Sequence, residues 1–188
     1  MMRSVLAAVS LLAWAVGPGA FAAHAHQRQL LQIGSAEYLV IIGFLGEPVF
    51  TGDKSGVDLT VLVPDSANPT DSRSEKAQPV EGLEKTVKVE IKAGPQTRTM
   101  ALYPRFRSPG RYDAVFFPTV ATTYSFRLTG TVNQVPVDLT FSCNPTGHVT
   151  VDDRSTVKVS DTVTRKAMIG SFGCPEARAD AEFPPVRR

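Results

Sequence analysis

The chain has three histidines, and two of them, His24 and His26, lie close together near its beginning. If the chain is cleaved before His26, the α-amine and the ring nitrogen of that residue form a chelating pair, which suits the nitrogen preference and tetragonal geometry of Cu(II). If cleavage occurs before Ala23 instead, both imidazoles remain on an N-terminal tail. The sequence therefore leaves two interpretations: a solvated tail that binds nothing, which we favour, and a Cu(II) site.

The third histidine, His148, follows an Asn-Pro-Thr-Gly turn and supplies a further copper ligand only if the fold brings it close to the N-terminus. Asp152 and Asp153 are candidate oxygen ligands. The same stretch, with Ser142 and Cys143, is the only local set that combines a nucleophile with a base. The sequence contains no Gly-x-Ser-x-Gly, His-Glu-x-x-His or Cys-x-x-Cys motif, so we predict a protein that is not an enzyme.

Residues 1–25 are typical of a secretory signal peptide. Arg3 gives a short positive beginning, an apolar run follows at 5–16, and small residues precede two candidate cleavage sites. The run is too short to cross a bilayer, which takes about 20 apolar residues. We therefore predict export to the periplasm or the extracellular space, with no transmembrane segment after cleavage.

The two cysteines, Cys143 and Cys174, are expected to form one disulfide in an exported chain. Closing a loop of about 30 residues stabilises a fold by roughly 3–4 kcal/mol when the bridge is unstrained. A metal-binding or catalytic pair of thiols is the competing interpretation.

The charges nearly cancel, with 20 basic and 18 acidic residues. Without a basic stripe the sequence gives no reason to expect a nucleic-acid partner. The roughly 160 residues that follow the signal peptide are enough for one domain with its own core.

Alternation of apolar and polar residues predicts an all-β protein. The clearest stretch, residues 109–141, predicts three consecutive antiparallel strands. Because a sheet with one apolar face needs a second layer, seven strands at this spacing predict an immunoglobulin-like antiparallel β-sandwich over residues 26–143. Lysines along residues 86–92 are typical of a sheet edge. The other predicted strands are 37–45, 57–63, 86–92 and 97–103.

The remaining regions are less regular. Residues 65–82 predict a mobile polar loop outside the sandwich. Residues 144–175 predict a disulfide-tied extension that either adds one or two strands or wraps the domain as a strap, and residues 176–188 predict a disordered tail. Val115 and Phe117 point away from the predicted core; they form an apolar patch for a partner or, as we expect, lie under the strap.

Three sequence blocks carry a family resemblance: His26-x-Arg28 with Glu37-Tyr38-Leu39-Val40-x-x-Gly43-Phe44-Leu45-x-Glu47-Pro48, then Pro79-Val80-Glu81-Gly82-Leu83-Glu84-Lys85-Thr86-x-Lys88-Val89, and Pro109-Gly110-x-Tyr112-x-Ala114-x-Phe116-x-Pro118-Thr119 with Tyr124-x-Phe126-Arg127, Gly130-Thr131 and Pro136-Val137-Asp138. They resemble a family of exported bacterial proteins of unassigned function with immunoglobulin-like sandwiches. More loosely, the chain is similar to YtkA-like and CopC-like periplasmic domains. The second resemblance implies Cu(II) binding by a terminal histidine together with another His or Asp.

These observations together predict an exported, non-catalytic binding or accessory protein of the cell envelope. In its sharper form the prediction is a Cu(II) carrier that uses His26 with His24 or His148. The alternative is a metal-free structural or protein-interaction module, whose partner would be another envelope protein.

Overall fold

The computed structural model describes residues 26–178 of the chain. The predicted signal peptide, including His24, lies outside these residues, and so do residues 179–188. In the described part, no helix is long and apolar enough to cross a membrane.

The described residues are almost entirely β-structure and form two antiparallel sheets. The first sheet contains nine strands, namely β1 (Gln27–Ile33), β2 (Ala36–Phe44), β3 (Ser55–Val63), β4 (Gln78–Pro79), β7 (Tyr103–Pro104), β8 (Arg111–Phe116), β11 (Asp152–Asp153), β12 (Val157–Lys158) and β13 (Val163–Ile169). The second contains four, namely β5 (Val87–Ala93), β6 (Gln96–Ala101), β9 (Tyr124–Val132) and β10 (Val135–Ser142). One helical turn, α1 (Leu83–Thr86), precedes β5. The strand order is β11-β13-β1-β2-β3-β8-β7 in the first sheet, with β12 on β13 and β4 on β3, and β10-β9-β5-β6 in the second.

The inner faces of the two sheets enclose one apolar core, which confirms the predicted β-sandwich. Phe44 of β2 lies at its centre, with its ring centroid 5.0 Å from that of Phe126 and 5.9 Å from that of Phe172. Burying a side chain of this size contributes about 1.5–3 kcal/mol. The immunoglobulin-like subtype stays a prediction.

The stretch 109–141 forms the three predicted strands, but they are divided between the sheets. Strand β8 pairs with β3 in the first sheet, whereas β9 and β10 form a hairpin in the second. Asn133 and Gln134 connect that hairpin, and both have positive φ, 45° and 67°. Two such residues form the tight turn that matches the twist of antiparallel strands.

The prediction that residues 86–92 form an edge strand is wrong. Strand β5 lies inside the second sheet, between β9 and β6. Its lysines point to solvent because that outer face is uncovered, and the edge is β6. A strand with lysines on one face can therefore be an edge strand or an interior strand whose outer face is exposed to solvent.

Residues 144–175 add strands to the first sheet, which is one of the two predicted alternatives, and they do not wrap the domain as a strap. Strand β13 pairs with β1 along nearly its whole length, from Arg28 opposite Ile169 to Ile33 opposite Val163. Val115 and Phe117 consequently remain uncovered, with 41% and 56% of their surface exposed, so the expectation that a strap buries them is wrong.

The predicted disulfide is confirmed: Cys143, just after β10, is bonded to Cys174, and their Cα atoms lie 4.9 Å apart. Glu176, at the start of the predicted disordered tail, is held by backbone hydrogen bonds. Its N–H donates to the Val49 carbonyl at 2.9 Å, and its own carbonyl accepts from the Thr51 N–H at 2.9 Å.

Residues 65–82, predicted to lie outside the sandwich, pack against the first sheet. Strand β4 pairs with the end of β3, and Val80 is buried in the core. The Tyr112 hydroxyl donates to the Val80 carbonyl at 2.7 Å and accepts from the Leu83 N–H at 3.2 Å. Consecutive turns from Asp65 to Ala77 form what we call the cover segment (residues 65–77).

Candidate functional site

The charged side chains of the first sheet gather on its outer face, in two rows that run across the strands. Side chains two apart along a strand share a face. In the first row, Gly43 of β2 lies opposite Asp58 of β3, and Asp58 lies opposite Asp113 of β8. His26, the residue just before β1, ends this row beside Gly43.

The second row lies one step along the same face. Arg28 of β1 is opposite Ile41 of β2, and Ile41 is opposite Thr60 of β3. Thr60 in turn is opposite Arg111 of β8. The register thus places an arginine at each end of the row, with two smaller side chains between them.

Asp58 is the centre of the charged cluster. One of its carboxylate oxygens lies 3.1 Å from Arg105 Nη2, and the other lies 3.3 Å from Arg111 Nη2 and 3.4 Å from His26 Nε2. Burial opposes ionisation of this side chain, which is 7% exposed. The contact with His26 and the charges of the two arginines outweigh burial and hold the pKa of Asp58 below its ordinary value.

Arg105 links Asp58 to the next carboxylate in the row. Its Nε donates to both oxygens of Asp113 at 3.1 Å, and its Nη2 also bonds to Asp113. Arg105 lies just beyond β7, where its N–H donates to the Arg111 carbonyl at 2.9 Å. Two carboxylates and two arginines therefore form one connected network at this end of the sheet.

Gly43 makes room for His26 on the sheet. A Cβ atom at position 43 would lie 2.9 Å from the His26 ring and 3.0 Å from Glu47 Oε1, closer than such atoms pack in proteins. The missing side chain lets the imidazole lie flat on β2 beside the Glu47 carboxyl.

Glu47 and Asp58 are both close to His26, but their pKa values shift in opposite directions. Burial raises the pKa of Glu47 to about 7, and the negative charge of Asp58 adds to the rise. A hydrogen bond from the Phe44 N–H, 3.1 Å long, and the neighbouring His26 oppose it without cancelling it. Burial dominates here because Glu47 has no arginine partner comparable to those of Asp58.

The cover segment closes one side of the site. Arg28 Nη1 donates to the Thr70 carbonyl at 3.4 Å, which ties the segment to β1. The Asp65 carboxylate shapes the segment by accepting from the Ala67 N–H at 3.0 Å and from the Ser74 hydroxyl at 2.7 Å. These contacts bring Arg73 over the outer face of the sheet.

A surface cavity of about 320 Å³ opens between the two rows and the cover segment. We call it the arginine pocket, after the three guanidinium groups that line it together with the other side chains used below: Arg28, Arg73, Arg111, His26, Asp58 and Thr60.

The electrostatics of the pocket favour a negatively charged occupant. Burial lowers the pKa of Arg28, and the nearby charge of Arg73 lowers it further, against a smaller opposing effect of Asp71. The Nε of Arg111 is buried and has no hydrogen-bond partner among the described residues. A ligand that accepts a hydrogen bond from a partly buried guanidinium group is bound more tightly, because it replaces the water that burial removes.

The structure separates the predicted copper ligands. His26 lies in the arginine pocket, whereas His148 lines a different cavity of about 260 Å³ beside Cys174, and its Nδ1 contacts the Ser171 carbonyl. His24 is outside the described residues. No cluster of three or more His, Cys, Asp or Glu side chains suited to a metal ion occurs within residues 26–178.

The two aspartates proposed as oxygen ligands are engaged elsewhere. Asp152 pairs with Arg154 at 2.6 Å, and Asp153 pairs with Arg165 at 2.9 Å. Both pairs lie in the β11–β13 region, where they fix turns of the first sheet.

Sequence reasoning did not find the residues that line the pocket, apart from His26. One signal was present: Asp58 interrupts the apolar β3 strand, where a carboxylate needs partners. Its partners, Arg105 and Arg111, are about fifty residues away in sequence, and only the β3–β8 register brings them together.

Comparison with known proteins adds no assignment. A scan against protein-family models, a search of curated proteins and a search of solved structures each found no match.

Proposed function

We propose that this protein is an exported, non-catalytic binding protein of the cell envelope that takes an anionic group into the arginine pocket. The observation that carries the proposal is the convergence of Arg28, Arg73 and Arg111 on one cavity. The carboxylate that lines it, Asp58, is already paired with Arg105 and Arg111. Phosphate, sulfate and carboxylate groups accept two parallel hydrogen bonds from one guanidinium, which is the recognition this pocket offers.

The other parts of the proposal rest on sequence and local chemistry. Export is inferred from the signal-peptide pattern of residues 1–25. The state of Cys143 supports a binding role without catalysis. Its sulfur is bonded to Cys174 and therefore does not act as a free thiol nucleophile. In the same stretch, His148 faces a backbone carbonyl and not a nucleophile.

A Cu(II) carrier is the second candidate function, because His26 Nε2 lies 3.4 Å from a carboxylate oxygen of Asp58. These two side chains would give copper one nitrogen and one oxygen ligand, and the α-amine or His24 would have to complete the site. The surrounding arginines disfavour a divalent cation at that position. We therefore rank anion binding above copper binding.

The test is calorimetric titration of the protein with inorganic phosphate, sulfate and succinate. We expect at least one of these anions to bind, and Arg73→Ala to weaken that binding about tenfold, the value of a charged hydrogen bond. Arg73 is the sharper choice than Arg111, because Arg111 also supports Asp58 and its loss affects folding. If none of the three anions bound, or if Arg73→Ala bound them equally well, the proposal that the pocket binds an anion would be refuted.

The control variant is Arg127→Ala, which removes an arginine from the outer face of the second sheet and should bind the anions like the unchanged protein. In parallel, mass spectrometry under non-denaturing conditions with one equivalent of Cu(II) tests the second candidate. Copper retained by the unchanged protein but lost in His26→Ala would favour the carrier. Binding of neither copper nor any anion would favour the metal-free interaction module.

A further inference from the structure

A turn beside the arginine pocket exposes two aromatic side chains to solvent. We call it the aromatic turn (residues 103–111). Tyr103 is 65% exposed and Phe106 is 82% exposed, the largest exposure of any large apolar side chain in the described chain. A phenyl ring held in water costs free energy that burial in an apolar phase would recover. A ring in this position therefore indicates a surface that meets something apolar.

The backbone of the turn holds Phe106 at the tip. The Ser108 N–H donates to the Arg105 carbonyl at 3.2 Å, and the Arg111 N–H donates to the Ser108 carbonyl at 3.2 Å. Arg107 has a left-handed backbone, with φ of 53°. These hydrogen bonds close the turn at its base, and the Phe106 ring projects outward from it.

A positive charge lies over the exposed ring. The guanidinium of Arg107 lies 5.0 Å above the centre of the Phe106 ring. At the base of the turn, Arg111 lines both the arginine pocket and the cavity beneath the turn. The acids of this region lie at the base of the turn: Asp58 and Asp113 pair with its arginines, and Glu81 and Glu84 line the cavity beneath it.

We propose that the aromatic turn docks on an anionic lipid surface, with the Phe106 ring entering the headgroup–acyl boundary and the arginines meeting lipid phosphates. A protruding apolar tip with a guanidinium group over its ring matches the layered chemistry of that interface. Each arginine near an anionic membrane strengthens binding about fivefold, and salt weakens the attraction. The docked orientation places the arginine pocket at the level of the headgroups.

Vesicle co-sedimentation tests this proposal. The protein is mixed with vesicles of phosphatidylglycerol and phosphatidylcholine in equal parts, and with vesicles of phosphatidylcholine alone. We expect binding to the first, little to the second, and weakening as salt is raised. Phe106→Ala should reduce binding about tenfold or more, and Arg107→Ala about fivefold. Because both side chains are exposed, the two variants should have the same thermal unfolding temperature as the unchanged protein.

The matched control is Phe117→Ala, which removes a second exposed phenyl ring. Phe117 lines a different cavity from Arg107 and Arg111, so this variant should leave vesicle binding unchanged. Failure to bind anionic vesicles, or an equal loss in Phe117→Ala, would overturn the proposal. Binding to soluble dextran sulfate that depends on Phe106, without vesicle binding, would assign the turn to an acidic polysaccharide instead. Phosphate titration of Phe106→Ala separates this proposal from the pocket, because anion binding there should be unchanged.

Discussion

The two outer faces of the sandwich both carry charged residues, but these residues differ in how far they are buried. On the first sheet, Asp58 is 7% exposed and shares its oxygens among three cationic or polar partners beneath the cover segment. On the second sheet, Arg127 lies 2.6 Å from Asp138 and 3.8 Å from Glu90, and all three side chains remain between 32% and 53% exposed. One face concentrates charge away from water, and the other leaves it solvated.

This difference indicates which charged side chains are suited to bind a ligand. An exposed ion pair is worth about 0–1 kcal/mol and can occur on any strand. Taking charges out of water costs several kcal/mol per ion unless partners compensate it. Within residues 26–178, this cluster leaves the Arg111 Nε without a hydrogen-bond partner, so it does little for stability beyond what apolar packing would do. The proposed anion would accept that hydrogen bond.

The largest expected effect comes from breaking the buried network. Asp58→Asn should lower the free energy of unfolding by about 3 kcal/mol, because Arg105, whose side chain is 22% exposed, loses a charge that compensates its burial and Arg111 loses its ion-pair partner. Asp138→Asn, the matched change on the open face, should cost less than about 1 kcal/mol. Urea unfolding of both variants near neutral pH measures the two values. Equal costs would show that the two faces do not differ as described.

The sequence predicts strands of both sheets, but it predicts neither the whole of the first sheet nor the site. Alternation along 109–141 predicts β8, β9 and β10 because each strand carries its own period-2 signal. Strand β13 has no such signal, since apolar and charged residues mix in Val163–Ile169 and only its pairing with β1 makes it a strand. The same residues were therefore assigned to an extension.

The arginine pocket escaped prediction for a related reason. Arg28, Asp58 and Arg111 each look like an isolated charge in sequence, and their proximity follows from the registers of β1 with β2, β2 with β3, and β3 with β8. Among the described residues, His26 is the one predicted copper ligand that lines the pocket. The sequence could not show that three arginines line the same cavity, and for this reason we propose an anion, and not a cation, as its ligand.

A second, smaller effect is the pH dependence of stability, in which Glu47 and Asp58 should contribute with opposite signs. Well below a pH of about 4.5, Glu47 is protonated whether the chain is folded or unfolded and contributes nothing. As the pH rises toward 7, the unfolded chain loses this proton while the folded protein keeps it. Unfolding then releases a proton, so stability falls with rising pH and levels off above that pKa. Asp58 has the opposite sign: its contribution is present above its ordinary pKa and is lost in acid.

Glu47→Gln checks this sign directly, because the amide stays neutral and can still accept the Phe44 N–H. At a pH of about 8 the variant should be more stable than the unchanged protein by about 1–2 kcal/mol, a value reduced for partial solvent screening. At a pH of about 4 the two proteins should unfold alike. Urea unfolding across this range measures the difference, and a constant offset would contradict the raised pKa.

The smallest effect belongs to the open face and completes the comparison. Arg127→Ala removes the arginine that bridges Asp138 and Glu90, yet it should leave the free energy of unfolding nearly unchanged, because water already solvates both carboxylates. The loss should shrink further at high salt, where screening weakens such pairs. Urea unfolding at low and high salt measures both values. A loss as large as that of Asp58→Asn would mean that connectivity, and not burial, decides what a charge contributes in this sandwich.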